Sequence, residues 1–185
     1  LVAFHFSDNG FWATGFAVDD VALRQITGFD DLIALQHQQE YTKIPESQVW
    51  NMPLSAKVKN QGTSIAYDAK LTTKIYQSPN FTTPIQTLIG NIDTLIPTQI
   101  ENLISGNFLP TGLGTYLFKH IVSTTSFTDG NNNNDTTEYW LEVTDSVYAR
   151  DNNNISYSID NPGLNNTLEI GQLFDIQLTA TMTSL

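Results

Sequence analysis

Apolar and polar positions alternate with a period of two along the middle of the chain. The clearest stretch, residues 66–77, reads AYDAKLTTKIYQ and places five side chains on one face: Tyr67, Ala69, Leu71, Thr73 and Ile75. A period of two is typical of a half-buried β-strand, because successive side chains point to opposite faces of a sheet. The stretch therefore predicts a strand with one face toward a core.

Further strands are predicted on both sides of this one. Residues 54–59 alternate before a turn, and shorter strands are predicted around Gly90-Asn91. A Pro/Gly turn then precedes a strand whose inward residues are Tyr116, Phe118, His120 and Val122. A long turn over residues 128–135 leads to the last strands, within residues 138–150. Short strands at regular spacing with polar turns between them favour an all-β, antiparallel sandwich.

The two ends of the chain read differently from the middle. Residues 1–27 contain two strand-like runs around the turn SDNG, whose Asn and Gly tolerate positive φ. Residues 28–47 lack alternation and predict a linker with one helical turn near residues 31–37. The tail predicts one strand, residues 172–182, with one apolar face and no obvious partner nearby. An unpaired edge strand of this kind favours association.

Composition narrows the classes of function. The chain has 185 residues, 40% of them hydrophobic and 15% charged, a net charge of −11 and no cysteine. The acidic balance argues against nucleic-acid partners, and the absence of cysteine excludes disulfides and thiolate chemistry. No apolar run reaches the ~20 residues that span a bilayer, so membrane insertion is not expected. No signal peptide opens the sequence, which is expected of a piece of a longer protein.

Several motifs resemble modules of secreted bacterial proteins. GFWATGFAVDDVAL, residues 10–23, resembles the closing strands of MAM-like or choice-of-anchor jelly-roll modules. Residues 41–62, 109–123 and 139–153 resemble the Ig-like, CARDB-like adhesion modules of secreted Bacteroidetes proteins. The resemblance implies an Ig-like antiparallel β-sandwich with flanking jelly-roll strands.

The same resemblance implies a division of the chain into four parts. Residues 1–27 are expected to be the C-terminal strands of one jelly-roll-like module, and residues 28–47 a linker. Residues 48–150 are expected to form the Ig-like sandwich. Residues 151–185 are expected to begin a second jelly-roll-like module or to act as a donated strand.

A cation site is predicted near the N-terminus. Asp19 and Asp20 are adjacent on a predicted strand, so one carboxylate points inward and needs a partner. A calcium ion, with Asp8 as an additional ligand, is one solution, and the resemblance to MAM-like modules supports it. The alternative is that one Asp accepts backbone N–H bonds and the other is solvated. Asp129 and Asp135 also fall in a calcium-loop-like alternation, for which a hairpin turn is the preferred interpretation.

Other candidate sites concern modification, glycan binding and a module boundary. The Asp–Ser/Thr–apolar pattern used for bacterial O-glycosylation occurs at Thr94, Thr136 and Ser146. A flat exposed row of tryptophans would favour carbohydrate binding, and the candidates are Trp12, Trp50 and Trp140. Arg150 is expected to bridge to a carboxylate at a module boundary.

No nucleophile, zinc-protease or phosphate-loop motif is present, and enzymatic activity is not expected. The sequence instead predicts a non-catalytic structural or adhesive module, extracellular or on the bacterial cell surface. Its expected partners are neighbouring modules, identical subunits joined head-to-tail into filaments by strand complementation, or surface glycans. The alternative is an accessory carbohydrate- or calcium-binding domain of a secreted hydrolase.

Overall fold

The computed structural model describes residues 28–150 and 174–177, and the first range forms two β-sheets packed face to face. The strands are β1 (Leu32–His37), β2 (Lys43–Pro45), β3 (Met52–Asn60), β4 (Ala66–Gln77), β5 (Gln86–Leu95), β6 (Ile100–Phe108), β7 (Gly114–Ser123) and β8 (Thr136–Thr144). A short 3₁₀ helix, Glu46–Gln48, follows β2. Among the residues in these two ranges, no helix is long and apolar enough to cross a membrane.

The strand order is that of an immunoglobulin sandwich. One sheet has the order β1-β3-β6 and the other the order β2-β8-β7-β4-β5. All pairs are antiparallel except β2 with β8. In immunoglobulin terms, strands A, B and E face strands A′, G, F, C and C′. The expected fold class, an all-β Ig-like sandwich, is confirmed.

The sandwich begins earlier in the chain than the sequence indicated. Residues 32–37 form strand β1 and not a helical turn, and β2 also lies within the predicted linker, residues 28–47. The alternation of β1 is interrupted by a register shift between Ala34 and Gln36 in its pairing with β3. A bulge of this kind adds a residue to one strand and hides the period of two from the sequence.

The predicted inward faces of β4 and β7 form the centre of the core. Tyr116, Phe118 and His120 of β7 are fully buried, as are Leu71 and Ile75 of β4. The prediction that Tyr67 of β4 points inward is wrong, because this side chain is 54% exposed. Asp68 has a left-handed backbone, with φ of 52°, which turns the strand so that Ala66 is buried in place of Tyr67.

Gly90 lies in the middle of one continuous strand, β5, and not between the shorter strands predicted around Gly90-Asn91. β5 and β6 are edge strands of different sheets, and their backbones meet at this glycine. A Cβ on Gly90 would lie 1.9 Å from the carbonyl oxygen of Ile104. A glycine is therefore required here, because a side chain would not fit between the two backbones.

The predicted jelly-roll segments lie largely outside the described residues. This applies to residues 1–27, with Asp8, Trp12, Asp19 and Asp20, and to residues 151–173 and 178–185. Of the predicted tail strand, only Phe174–Gln177 is described, and it forms no strand.

We expect Gly90→Ala to destabilise the sandwich by about 3 kcal/mol, because the two backbones must separate to admit one methyl group. Chemical unfolding in urea measures the change. Gly28→Ala is the matched control, since its Cβ would approach nothing closer than 3.9 Å and should change stability by less than about 0.5 kcal/mol. Equal stability of the two variants would contradict the close approach.

Candidate cation site

β1 begins at one end of the sandwich and β8 ends at the other. The N-terminal pole holds residues 28–31 before β1, the β3–β4 turn and the long β7–β8 loop. The C-terminal pole holds the crossing from β1 to β2 and residues 145–150 after β8. The N-terminal pole thus contains the start of β1, and the C-terminal pole contains the end of β8.

Three carboxylates meet at the N-terminal pole. Asp31 precedes β1, and Asp129 and Asp135 lie in the β7–β8 loop. One carboxylate oxygen from each of the three lies within 4.8 Å of the others. Asp31 is only 1% exposed, and the other two side chains are half-buried. The arrangement concentrates three acidic groups in a space of the size that one ion needs.

Backbone hydrogen bonds hold the loop against the entering chain. The N–H of Gly130 donates to the carbonyl oxygen of Asp30 at 2.8 Å, and the N–H of Ala34 donates to that of Asn134 at 3.0 Å. The N–H of Val122 donates to the carbonyl oxygen of Asp135 at 2.9 Å. These bonds fix the positions of the three carboxylates before any ligand is considered.

The cluster is only partly satisfied by donors of the protein. The Asp129 carboxylate accepts N–H bonds from Leu32 and Asn131, both at 2.8 Å. The Asn134 amide donates to Asp31 at 3.1 Å, while Oδ1 of Asp135 is buried without a hydrogen-bond partner. No ion pair within residues 28–150 and 174–177 reaches any of the three carboxylates. The negative charge of the cluster is therefore not neutralised by the described part of the chain.

Burial and mutual repulsion raise the pKa values of two members. Burial is the main cause that raises the pKa of Asp135 to about 6, and the charges of Asp129 and Asp31 raise it further. Burial also raises the pKa of Asp31, against the hydrogen bond from Asn134 that lowers it. Oxygen-only ligands of this charge suit a hard divalent cation such as calcium. A bound cation would relieve both causes of the shift, because it favours the ionised carboxylates.

The sequence pattern around Asp129 and Asp135 predicts a hairpin turn. Residues 128–135 do form a loop as predicted, but the loop brings Asp129 and Asp135 together. Asp31 was missed altogether, since it lay in the supposed linker. The available signal was the Asp30-Asp31 pair directly before the apolar Leu32. The predicted ligands Asp8, Asp19 and Asp20 lie outside the described residues.

The predicted modification sites are all at the surface. Thr94 is exposed in β5 and Thr136 is exposed as the first residue of β8. Ser146 is exposed in the bend after β8, where the sequence pattern had suggested a strand.

The two described tryptophans lie in different layers. Trp50 is half-buried against the core, with its ring centroid 5.9 Å from that of Tyr41. Trp140 is exposed on the outer face of the five-stranded sheet, where Phe81 contacts it edge-on at 5.3 Å. Trp12 lies outside the described residues, so the predicted row is described only at these two positions, which do not share a face.

The expected bridge of Arg150 to a carboxylate is confirmed. Its guanidinium lies 3.1 Å from the Glu40 carboxylate, at the C-terminal pole.

Comparisons with known proteins give a likeness of fold. No protein-family model matches the sequence, and no curated protein matches it. Among solved structures, a CARDB domain from Pyrococcus furiosus, in complex with di-metal ions, has a TM-score of 0.48 and 19% identity over 64% of this chain and 97% of its own. A cell surface protein domain from Methanosarcina acetivorans has a TM-score of 0.45 and 14% identity over 64% of this chain and 95% of its own.

We expect Asp135→Asn to stabilise the protein by about 1–2 kcal/mol at pH 7.5 in the absence of divalent cations. The unfolded carboxyl loses its proton near its ordinary pKa of 3.8 and the folded one near 6, so its stability contribution is lost as pH rises through that window. Asp135→Asn removes this loss of stability, because the asparagine side chain does not ionise. Urea unfolding in EDTA at pH 4 and pH 7.5 measures it.

The quantity to compare is the difference in the free energy of unfolding between Asp135→Asn and the parent protein at each pH. Burial lowers the pKa of His120 to about 4, so this histidine adds stability as pH rises through much of the same range. Subtracting the parent cancels that contribution. A difference that does not change with pH would contradict the raised pKa of Asp135.

Proposed function

We propose that this chain is a non-catalytic spacer module of a secreted or cell-surface protein, stiffened at its N-terminal pole by a bound calcium ion. The observation that supports this most directly is the cluster of Asp31, Asp129 and Asp135, whose ligand atoms lie within 4.8 Å of one another and have no basic partner among the described residues. An unpaired buried carboxylate oxygen on Asp135 adds to the cost of leaving the cluster empty.

A cation bound there reinforces the contact between the entering chain and the β7–β8 loop, which hydrogen bonds already join. Asp31 belongs to the chain that enters the sandwich, and the other two ligands belong to the β7–β8 loop. Binding by all three clamps the entering chain to the loop. The direction of any preceding segment then becomes fixed relative to the sandwich, which is what a spacer requires.

The path of the chain also favours a spacer. β1 begins at the N-terminal pole and β8 ends at the opposite one, where residues 145–150 turn back so that Ala149 bonds with Lys43 of β2. We infer that modules joined through these two poles extend end to end. The core between the poles is closed by buried aromatic and aliphatic side chains from both sheets. A closed core of this kind keeps the two poles in a fixed orientation relative to each other, and this role needs no catalysis.

Three finer features belong to the same proposal. The parent protein is a Bacteroidetes surface protein with jelly-roll modules on either side, located outside the cell and active in adhesion. O-glycosylation at Thr136 is favoured by its exposure at the start of β8. Thr94 and Ser146 are exposed acceptors of the same pattern.

A second function is favoured by the outer face of the five-stranded sheet. Trp140 is 47% exposed there and forms an edge-on pair with Phe81. An exposed tryptophan supported by a half-buried phenylalanine offers a surface on which a sugar ring can stack, as in an accessory carbohydrate-binding domain of a secreted hydrolase.

We expect calcium to raise the melting temperature at pH 7.5 by about 5–10 °C at a hundredfold excess over Kd, since ligand binding to the folded state alone contributes about 2.7 kcal/mol there. Differential scanning calorimetry with added CaCl₂ measures the shift. Asp31→Asn should abolish most of it, because it removes one of the three charged ligands.

Asp93→Asn is the matched control for charge, because Asp93 is exposed on β5 and lies outside the cluster. It should leave the calcium response unchanged. An equal response in the Asp31 variant, or no response in the parent, would rule out the site.

Head-to-tail strand complementation is the alternative mode of assembly, and the solution mass distinguishes it from the spacer. We expect the intact chain to remain a monomer of 20.6 kDa over a wide concentration range in size exclusion with light scattering. Polymers that disappear in a variant lacking residues 160–185 would instead support strand donation from one chain to the next.

A further inference from the structure

A short segment far along the chain returns to the C-terminal pole. Phe174–Gln177 lies against the sandwich, although residues 145–150 already close this end after β8. The ring contacts, the hydrogen bond and the ion pair of this segment are made by its first two residues, while Ile176 is 55% exposed. The segment is therefore anchored at one end and open at the other.

Phe174 enters an aromatic socket. Its ring centroid lies 5.4 Å from that of Tyr148 and 6.2 Å from that of Tyr41. The Arg150 guanidinium is 5.9 Å from the Phe174 ring and 4.7 Å from the Tyr41 ring. Phe174 is also partly buried against the main core cluster. Aromatic pairs and a guanidinium over a ring face both add to the energy of burial.

Asp175 is held by polar contacts beside the socket. Its backbone N–H donates to the hydroxyl oxygen of Tyr41 at 2.9 Å. The same oxygen accepts a bond from the Arg150 guanidinium at 3.0 Å. The Asp175 carboxylate lies 3.9 Å from that guanidinium, whose other nitrogen pairs with Glu40. Tyr41 thus contacts both the ring of Phe174 and the backbone of Asp175, and Arg150 contacts that ring and the Asp175 carboxylate.

The segment also covers a cavity. Asp175 and Gln177 line a space of about 260 Å³ whose floor is formed by core residues, among them Ile44, Trp50 and Leu141. Without the segment, this apolar floor would face water more widely. The segment is thus more than a surface contact, because it shields part of the core at the crossing between β1 and β2.

We propose that Phe174–Gln177 is an intramolecular strap that recognises the C-terminal pole through its Phe-Asp pair and fixes the direction in which the chain leaves the sandwich. Tyr41, Tyr148 and Arg150 form the socket that contacts the Phe174 ring. The Tyr41 hydroxyl oxygen accepts the hydrogen bond from the backbone N–H of Asp175. The role of the strap in orienting a next module rests on the spacer proposal, whereas the docking itself does not.

Amide exchange of Asp175 in the full chain tests the strap. Backbone NMR of the 185-residue protein at pH 7 follows this N–H, whose acceptor is a side chain. Tyr41→Phe keeps the ring and removes only the acceptor, so we expect protection of the Asp175 amide to fall about tenfold. Phe174→Ala should reduce it at least as much, because the anchor of the segment is lost.

Two controls make the result specific. Ile176→Ala changes the same segment at an exposed position and should leave the Asp175 exchange rate unchanged. Asp31→Asn acts at the opposite pole and should also leave it unchanged, so failure of the cation site and failure of the strap are told apart.

Two outcomes would overturn the proposal. Unchanged Asp175 exchange in the Tyr41 and Phe174 variants would show that the segment is held by something other than the socket. Protection that rises with protein concentration, together with a larger solution mass, would show that the socket is filled by the segment of a second copy.

Discussion

The crossing of the chain from one sheet to the other, between β1 and β2, is the constraint on which both poles depend. β1 pairs with β3 in one sheet, and β2 runs parallel to β8 in the other. Tyr41 is buried at the crossing, and its carbonyl oxygen accepts a bond from the hydroxyl of Tyr139 on β8. This bond sets where the first strand leaves its sheet. At the other end of β1, the carbonyl oxygen of Asp31 accepts bonds from the N–H groups of Gln61 and Gly62, which place its carboxylate at the N-terminal pole.

The two poles deal with charge in opposite ways. At the C-terminal pole, Arg150 lies between Glu40 and Asp175, and the acidic groups there have a cation supplied by the chain. At the N-terminal pole, the carboxylates of Asp31 and Asp135 have raised pKa values and no basic neighbour among the described residues. A cation from solution is therefore expected to bind at the N-terminal pole, where it would neutralise the carboxylates. At the C-terminal pole, Arg150 already neutralises the acidic side chains.

How much the sequence predicted depends on whether a pattern is local. The central strands β4 and β7 were predicted because each buries one whole face, so alternation is visible within the strand itself. Gly90 was misread because its reason lies in β6, which the sequence does not place beside it. The cation cluster was missed for the same cause, since Asp31 meets Asp129 only after the sheets form. The Tyr41 socket likewise joins residues that are distant in the chain.

A buried polar chain shows how the fold uses groups that elsewhere serve catalysis. The Thr73 hydroxyl lies 2.6 Å from that of Ser105 and 2.8 Å from Nδ1 of His120. Thr73 and His120 belong to the five-stranded sheet, whereas Ser105 belongs to the other and donates to the Leu54 carbonyl oxygen at 3.1 Å. All three side chains are buried, and burial keeps the imidazole neutral at pH 7 because its pKa is lowered to about 4. The three side chains lie between the two sheets, and their hydrogen bonds fix the register of one sheet against the other.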